Sequence, residues 1–273
     1  MWAPPLLAVQ FLTRVPVPGL ASLSEDAVRV GLGRAVAWFP LVGAMVGTVT
    51  AGTVLLAEQV WPRWVAVIVA LIVEARLTGA FHEDAVADFC DGVGGGRDAA
   101  HVRQIMKDSR IGTYGALGLM LAVGLRAALM FSLDATHTAI AIIAAATLGR
   151  LMAVIAMGVT PPVPLTTAAQ INVASSLTPS PAGGLGRDIT AGVQSRDIAL
   201  AFVTATPGLL PFALVSPTAL LFASIAALGF LVWFKALVLR RVGGVTGDCL
   251  GFAAYTGQLL LLLAAVANFA ARA

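Results

Sequence analysis

Seven apolar stretches, each with few or no charges, decide what this chain can fold into. They cover about residues 35–60, 64–80, 112–133, 137–158, 198–215, 217–239 and 249–271. A hydrocarbon core of about 30 Å takes roughly 20 residues of helix to cross. Lipid offers the backbone no hydrogen bonds, so apolar runs of this length cross as helices that satisfy their own amides. The composition agrees, at 59% hydrophobic and 11% charged, where soluble domains carry roughly 25% charged residues. The expected fold is all-α: one polytopic transmembrane bundle over residues 1–273 with about seven spans. The second and fifth stretches are short, and the fifth carries Pro207 and Pro211. One of these is expected to be re-entrant. The apolar start, residues 1–12, is too short to span and reads as an interfacial or re-entrant helix ending at Pro16 and Pro18. Gly43 and Gly47 are spaced for close packing of one helix on another.

The net charge of +3 is too small to argue for nucleic acid, and two cysteines, Cys90 and Cys249, are too few for a disulfide framework. No basic residue precedes the apolar start, so it lacks the usual secretory signal pattern. With the N-terminus inside, the inner segments are 1–34, 81–111, 159–197 and 240–248. They hold eleven of the 17 basic residues, while the outer segments hold only Arg63 and Arg272. That asymmetry sets the inner side as cytoplasmic, and the long connections lie there. Residues 159–197 are rich in Pro, Ser, Thr and Gly and read as a flexible inner loop.

Seven of the 14 acidic residues fall between Glu74 and Asp108. Their centre is GAFHEDAVADFCDGVGGGRD, residues 79–98, in which Asp84, Asp88 and Asp91 share one helical face. Like charges so placed repel, and a divalent cation removes the repulsion. Carboxylates without a set of Cys or His favour a hard ion, Mg²⁺ or Mn²⁺. The glycines at 92 and 94–96 suggest a turn whose amides approach an anion, with Gly94 and Gly95 as its centre. Residues 101–115, HVRQIMKDSRIGTYG, then place Arg103, Lys107 and Arg110 beside Asp108 and Ser109. Metal-binding acids, a glycine turn and cations together describe a metal–phosphate site.

A second polar island, RRVGGVTGDCLG, opens the last span at residues 240–251. Glycine with Thr246 before a helix start favours an anion, and Asp248 either caps that helix or binds metal. Arg14 lies near the inner surface. Arg150 falls in mid-span and needs a partner or a polar cavity. Arg126 and Lys235 are expected to snorkel.

Four blocks resemble the cobalamin synthase (adenosylcobinamide-GDP ribazoletransferase) family: FLTRVPVP, FHEDAVADFCDG, IMKDSRIGTYG and GGVTGDCLG, in order over essentially the whole chain. The resemblance implies a Mg²⁺-dependent transferase of the bacterial inner membrane that joins adenosylcobinamide-GDP to α-ribazole, or its 5′-phosphate, and releases GMP. It implies Asp84, Asp88, Asp91 and Asp248 as metal ligands. Arg14, Gly94, Gly95, Lys107, Ser109, Arg110 and Thr246 are then candidates for phosphate or substrate. Asp88, Asp108 and His82 are candidates for taking the hydroxyl proton. The expected partners are the two substrates and the lipid bilayer, with homo-oligomerisation left open. Glu83 stands where an apolar residue is common in the family, and Tyr255 and Gln258 where acids are expected. DFCDG is also similar to the opening of the CDP-alcohol phosphotransferase motif, whose later acids are missing. A head-group transferase of that type and a divalent-cation transporter are the rival readings.

Overall fold

The computed structural model describes residues 3–20, 24–164 and 193–270. Most of the inner loop at 159–197, with Arg187, and also Arg272 lie outside the described residues. Within them the chain is helical and has no strand, only an isolated bridge between Pro162 and Val245. The helices are α1 (Ala3–Leu12), α2 (Glu25–Ala35), α3 (Phe39–Ala57), α4 (Arg63–Thr78), α5 (Phe81–Gly95), α6 (Ala99–Met106), α7 (Thr113–Ser132), α8 (Ala135–Val159), α9 (Ser195–Val215), α10 (Pro217–Arg241) and α11 (Gly247–Ala270). A 3-10 turn, Val36–Trp38, joins α2 to α3.

Six helices are long and apolar enough to cross a membrane, and the pair α4 and α5 makes a seventh crossing if counted as one bent span. The fifth expected span is intact: α9 runs through Pro207 and Pro211 for 21 residues. The second is the one that breaks. α4 has 16 residues, about 24 Å of helix, and turns by 88° into α5. Two successive left-handed residues make that corner, Gly79 at φ 73° and Ala80 at φ 58°. Glycine adopts this conformation freely, whereas alanine does so at a cost of about 1–2 kcal/mol. The Arg14 side chain lies against Gly79 where a β-carbon would otherwise sit, and the Arg14 amide donates to the Leu77 carbonyl at 2.7 Å.

The connections sort to two ends, as the charge asymmetry expects. At one end Arg63 pairs with Glu58 and Thr138 and donates to the Met130 and Phe131 carbonyls. Asn268 there meets Ser216 and Thr218, and the His137 ring meets Phe269. At the other end Val245 donates to Pro161, and Arg241 donates to Val93 and Gly96. The polar blocks are gathered at this second end.

Between the ends, α8 is the central helix, covered by α3, α9 and α11. Small residues permit the approach. A β-carbon on Gly47 would stand 2.8 Å from Ile143 Cα, and one on Gly149 would stand 2.9 Å from Gln258 Cγ. Helices in lipid gain from such close backbone contact because hydrocarbon gives them no hydrophobic reason to associate. α10 turns Phe222, Ile225, Val232 and Trp233 outward, where hydrocarbon is the solvent.

Arg126 corrects the sequence expectation. It does not snorkel: it is 2% exposed, with Nη2 at 2.6 Å from Glu74 Oε2 and Nη1 at 3.8 Å from Glu83 Oε1. Thr50 also donates to Glu74 Oε2 at 2.6 Å. Lys235, by contrast, is exposed on α10. Leaving one partner of a buried pair alone costs about 3–5 kcal/mol. Arg126→Met is therefore expected to lower the thermal midpoint sharply in a fixed detergent, and Arg126→Met with Glu74→Gln to recover most of the loss. A double variant as unstable as the single one contradicts the pairing.

Candidate functional site

The acid-bearing helix α5 presents Asp84, Asp88 and Asp91 from one face. From Asp84 onward α5 packs on the first turns of α7 and α11, at the polar end of the bundle. Asp91 is buried, and both of its oxygens are engaged. Gly112 N–H donates to Oδ2 at 2.6 Å and Gly115 N–H donates to Oδ1 at 2.7 Å. A carboxylate from one helix thus caps the start of another, where the helix dipole favours negative charge. A β-carbon on Gly112 would meet Asp91 Oδ1 at 2.5 Å, and one on Gly115 would collide with Oδ2. The two glycines of IGTYG are there to let the carboxylate in.

Asp84 is exposed and Asp88 half-buried. The charged groups around Asp88 are Asp84, Asp248 and Asp91, all acids. Asp248 comes from the first turn of α11, and its charged neighbours are Asp84 and Lys107. It is not the cap of that helix. Thr246 serves there, its hydroxyl accepting from Cys249 N–H at 3.3 Å. The second and fourth blocks therefore face each other, with the end of the third beside them.

Two arginines hold that arrangement. Arg241, at the end of α10, donates to the Val93 and Gly96 carbonyls at 2.7 and 2.8 Å. Arg103, on α6, donates to the Val242 carbonyl. Each covers the exposed carbonyls of the other's neighbouring helix end, where cations are favoured. Arg103 is thus a clamp rather than a free cation, and nothing in the sequence marks Arg241 as its counterpart.

The glycine run also differs from expectation. Gly92, Gly94 and Gly95 belong to the last turn of α5. A helix C-terminus offers carbonyls, so Gly94 and Gly95 do not form an amide cradle for phosphate. Their smallness serves packing instead. A β-carbon on Gly94 would lie 2.6 Å from the Tyr114 ring, and one on Gly92 would lie 2.6 Å from Met106 Cγ.

Lys107, Ser109 and Arg110 are exposed, Lys107 near Asp248, and Arg14 is exposed at the α4–α5 corner. Arg110 grips Asp108 through Nε–Oδ1 at 3.0 Å and Nη2–Oδ2 at 2.6 Å. Those bonds hold Asp108 down to about 2. His82 is two residues before Asp84, hence on the opposite face of α5. It is buried against Arg150 in a cavity with Leu250 and Gly251. Of the three candidate proton acceptors, Asp88 alone is neither buried on the far face of α5 nor gripped by an arginine.

Tyr255 and Gln258 are buried inside the bundle. The guanidinium of Arg126 lies 5.7 Å from the Tyr255 ring centre, on the same arginine that Glu83 approaches. Two of the three departures from the family pattern, Glu83 and Tyr255, thus meet at Arg126.

Among the described residues, no three His, Cys, Asp or Glu side chains are gathered as a ready-made metal cage. The donors at the opening are the carboxylates of Asp84, Asp88 and Asp248, with Asp91 spent on α7. Mg²⁺ is commonly held by one or two carboxylates and completed by substrate phosphate oxygens and water. The donor set fits that ion.

Fold and site define a polytopic membrane protein with a carboxylate and cation site at one end of its bundle. The chain belongs to the cobalamin-5-phosphate synthase family, whose profile matches residues 4–266. It is 34% identical over 259 residues to the adenosylcobinamide-GDP ribazoletransferase of Vibrio cholerae serotype O1, covering 94% of this chain and 91% of the relative. It is 37% identical over 265 residues to the enzyme of that name from Ralstonia nicotianae, with 94% and 92% covered. The Rhizobium meliloti protein of the same name is 35% identical over 260 residues, with 92% and 91% covered. No solved structure matches the chain.

The three aspartates of α5 are expected to respond differently to amidation. Asp88→Asn removes a repelled charge, so its thermal midpoint should equal or exceed that of the unsubstituted protein without divalent ions. Asp91→Asn leaves a single acceptor oxygen for two amides and should lose about 1–3 kcal/mol. Thermal melts of both in one detergent check this, and the reverse order of midpoints contradicts it.

Proposed function

We propose that this protein joins adenosylcobinamide-GDP to α-ribazole, or its 5′-phosphate, forming adenosylcobalamin or its 5′-phosphate and GMP. The site is proposed to face the cytoplasm from the bacterial inner membrane. Mg²⁺ is the proposed ion, with Mn²⁺ the alternative. The observation that carries this reading is Asp248 facing Asp84 and Asp88 with Lys107 beside it. Parts of three of the four blocks thereby meet in one opening. The names of the relatives support the same reaction.

In this reading Asp84, Asp88 and Asp248 hold the ion, which supplies charge neutralisation at the pyrophosphate. Lys107 and Arg110 bind the phosphate oxygens, and Ser109 donates a hydrogen bond. Arg14 extends the cationic rim from the α4–α5 corner. Asp91 fixes α5 against α7, and Arg241 with Arg103 fixes α5 and α6 against the start of α11. The α-ribazole hydroxyl attacks the phosphorus attached to cobinamide, the bond to GMP breaks, and a carboxylate oxygen of Asp88 takes the hydroxyl proton. Such transfers depend mainly on positioning and charge stabilisation.

The test is a GMP assay with purified protein in lipid nanodiscs, Mg²⁺, adenosylcobinamide-GDP and α-ribazole. GMP and adenosylcobalamin are expected in equal amounts. Chelation of divalent ions or Asp88→Asn should each lower the rate by about 10²-fold or more. Rates unaffected by chelation overturn the metal assignment. Divalent-cation flux through liposomes with no GMP formed overturns the transferase reading.

A further inference from the structure

Behind the carboxylate face lies a second feature that the reaction as described does not use. A cavity of about 40 Å³ lies among α1, α3, α5, α8 and α11. Phe11, Phe39, Phe81 and Leu250 form its apolar walls, and its only ionisable groups are His82 and Arg150. Arg150 is 1% exposed. Its Nη1 reaches the Ala146 carbonyl at 3.4 Å, while Nε and Nη2 have no hydrogen-bond partner among the described residues. Leaving buried donors unmet is costly, yet the packing accommodates this side chain: a β-carbon on Gly43 would stand 3.1 Å from Arg150 Cδ.

We infer that this cavity seats the flat nitrogenous base of the acceptor nucleoside, with Arg150 donating to a ring nitrogen. The inference rests on the transferase reading for the identity of that nucleoside. Three observations select a neutral aromatic acceptor over a phosphate. The walls are aromatic, with Phe11 stacked on Phe39 at 5.6 Å and Phe81 edge-on to Phe11 at 5.7 Å between ring centres, which suits a planar heterocycle. The charges already balance, since Glu74 and Glu83 are the acidic neighbours of Arg150 and Arg126. An added anion would therefore stand uncompensated in a medium of low dielectric. The place is also right: Gly247 lines the cavity and Asp248 follows it into the opening. A base held here leaves its ribose on the side where Asp248 follows Gly247. Phe81, which lines the cavity, is 39% exposed, and a space of this size admits the edge of a two-ring base. The alternative occupant is solvent, since a space this size holds a few waters.

The experiment is calorimetric binding to the full chain in nanodiscs, without nucleotide turnover. α-Ribazole is compared with an analogue in which the free ring nitrogen is replaced by C–H. The unsubstituted protein should bind the analogue about tenfold more weakly, whereas Arg150→Gln should bind the two alike. Ala153→Leu, which fills the cavity without touching a charge, should weaken α-ribazole about tenfold and leave adenosylcobinamide-GDP within about twofold. Equal binding of α-ribazole and its analogue by the unsubstituted protein, a comparison that needs no variant, overturns the proposal. So does an Ala153→Leu protein of unchanged affinity, since the cavity then holds solvent alone. Base-dependent binding without GMP release sinks the transferase reading and leaves the pocket standing.

Discussion

α7 holds both arms of the bent pair, and it does so through carboxylates. Arg126 takes Glu74 from α4 and approaches Glu83 at the start of α5. The first amides of α7 take Asp91 from the far part of α5. A bilayer makes an unpaired charge or an unmet amide expensive, so these contacts fix the corner at Gly79 and Ala80 far more firmly than turn propensity could. With the corner fixed, Asp84 and Asp88 meet the opening where α11 begins.

The arrangement separates two kinds of acid that look alike in the chain. Asp91, Glu74 and Glu83 have partners that tie helices together. Asp84, Asp88 and Asp248 have chiefly one another, which is an unfavourable state for carboxylates and a favourable one for a site that awaits a divalent cation. The cations divide the same way. Arg126, Arg103 and Arg241 are committed to protein acceptors, while Lys107 and Arg14 stay open at the rim. Arg150 belongs to neither group.

Much of this was legible in the sequence. Hydropathy located the spans, basic residues sorted the loops to two ends, and the four-and-three spacing placed three aspartates on one face. The family resemblance agrees with the profile match and with the relatives. What the sequence concealed depends on neighbours that it does not list. A mid-helix cation reads the same whether it stays exposed, as Lys235 does, or pairs, as Arg126 does. A run of glycines reads as a turn until Tyr114 and Met106 are seen resting on it. Asp91 looked like a ligand because nothing in its own helix points to the amides of Gly112 and Gly115. Glu83 and Tyr255 looked like unrelated departures until both were found against Arg126.

The central claim is that aspartates from α5 and α11 form one ion site while Asp91 does not. Electron paramagnetic resonance of Mn²⁺ titrated into the protein in nanodiscs, with adenosylcobinamide-GDP present, tests it directly. Asp84→Asn and Asp248→Asn should each weaken Mn²⁺ binding by about tenfold or more, and Asp91→Asn should leave the bound-ion spectrum unchanged in the fraction that remains folded. Mn²⁺ binding indifferent to Asp248, or abolished by Asp91→Asn in folded protein, contradicts the account.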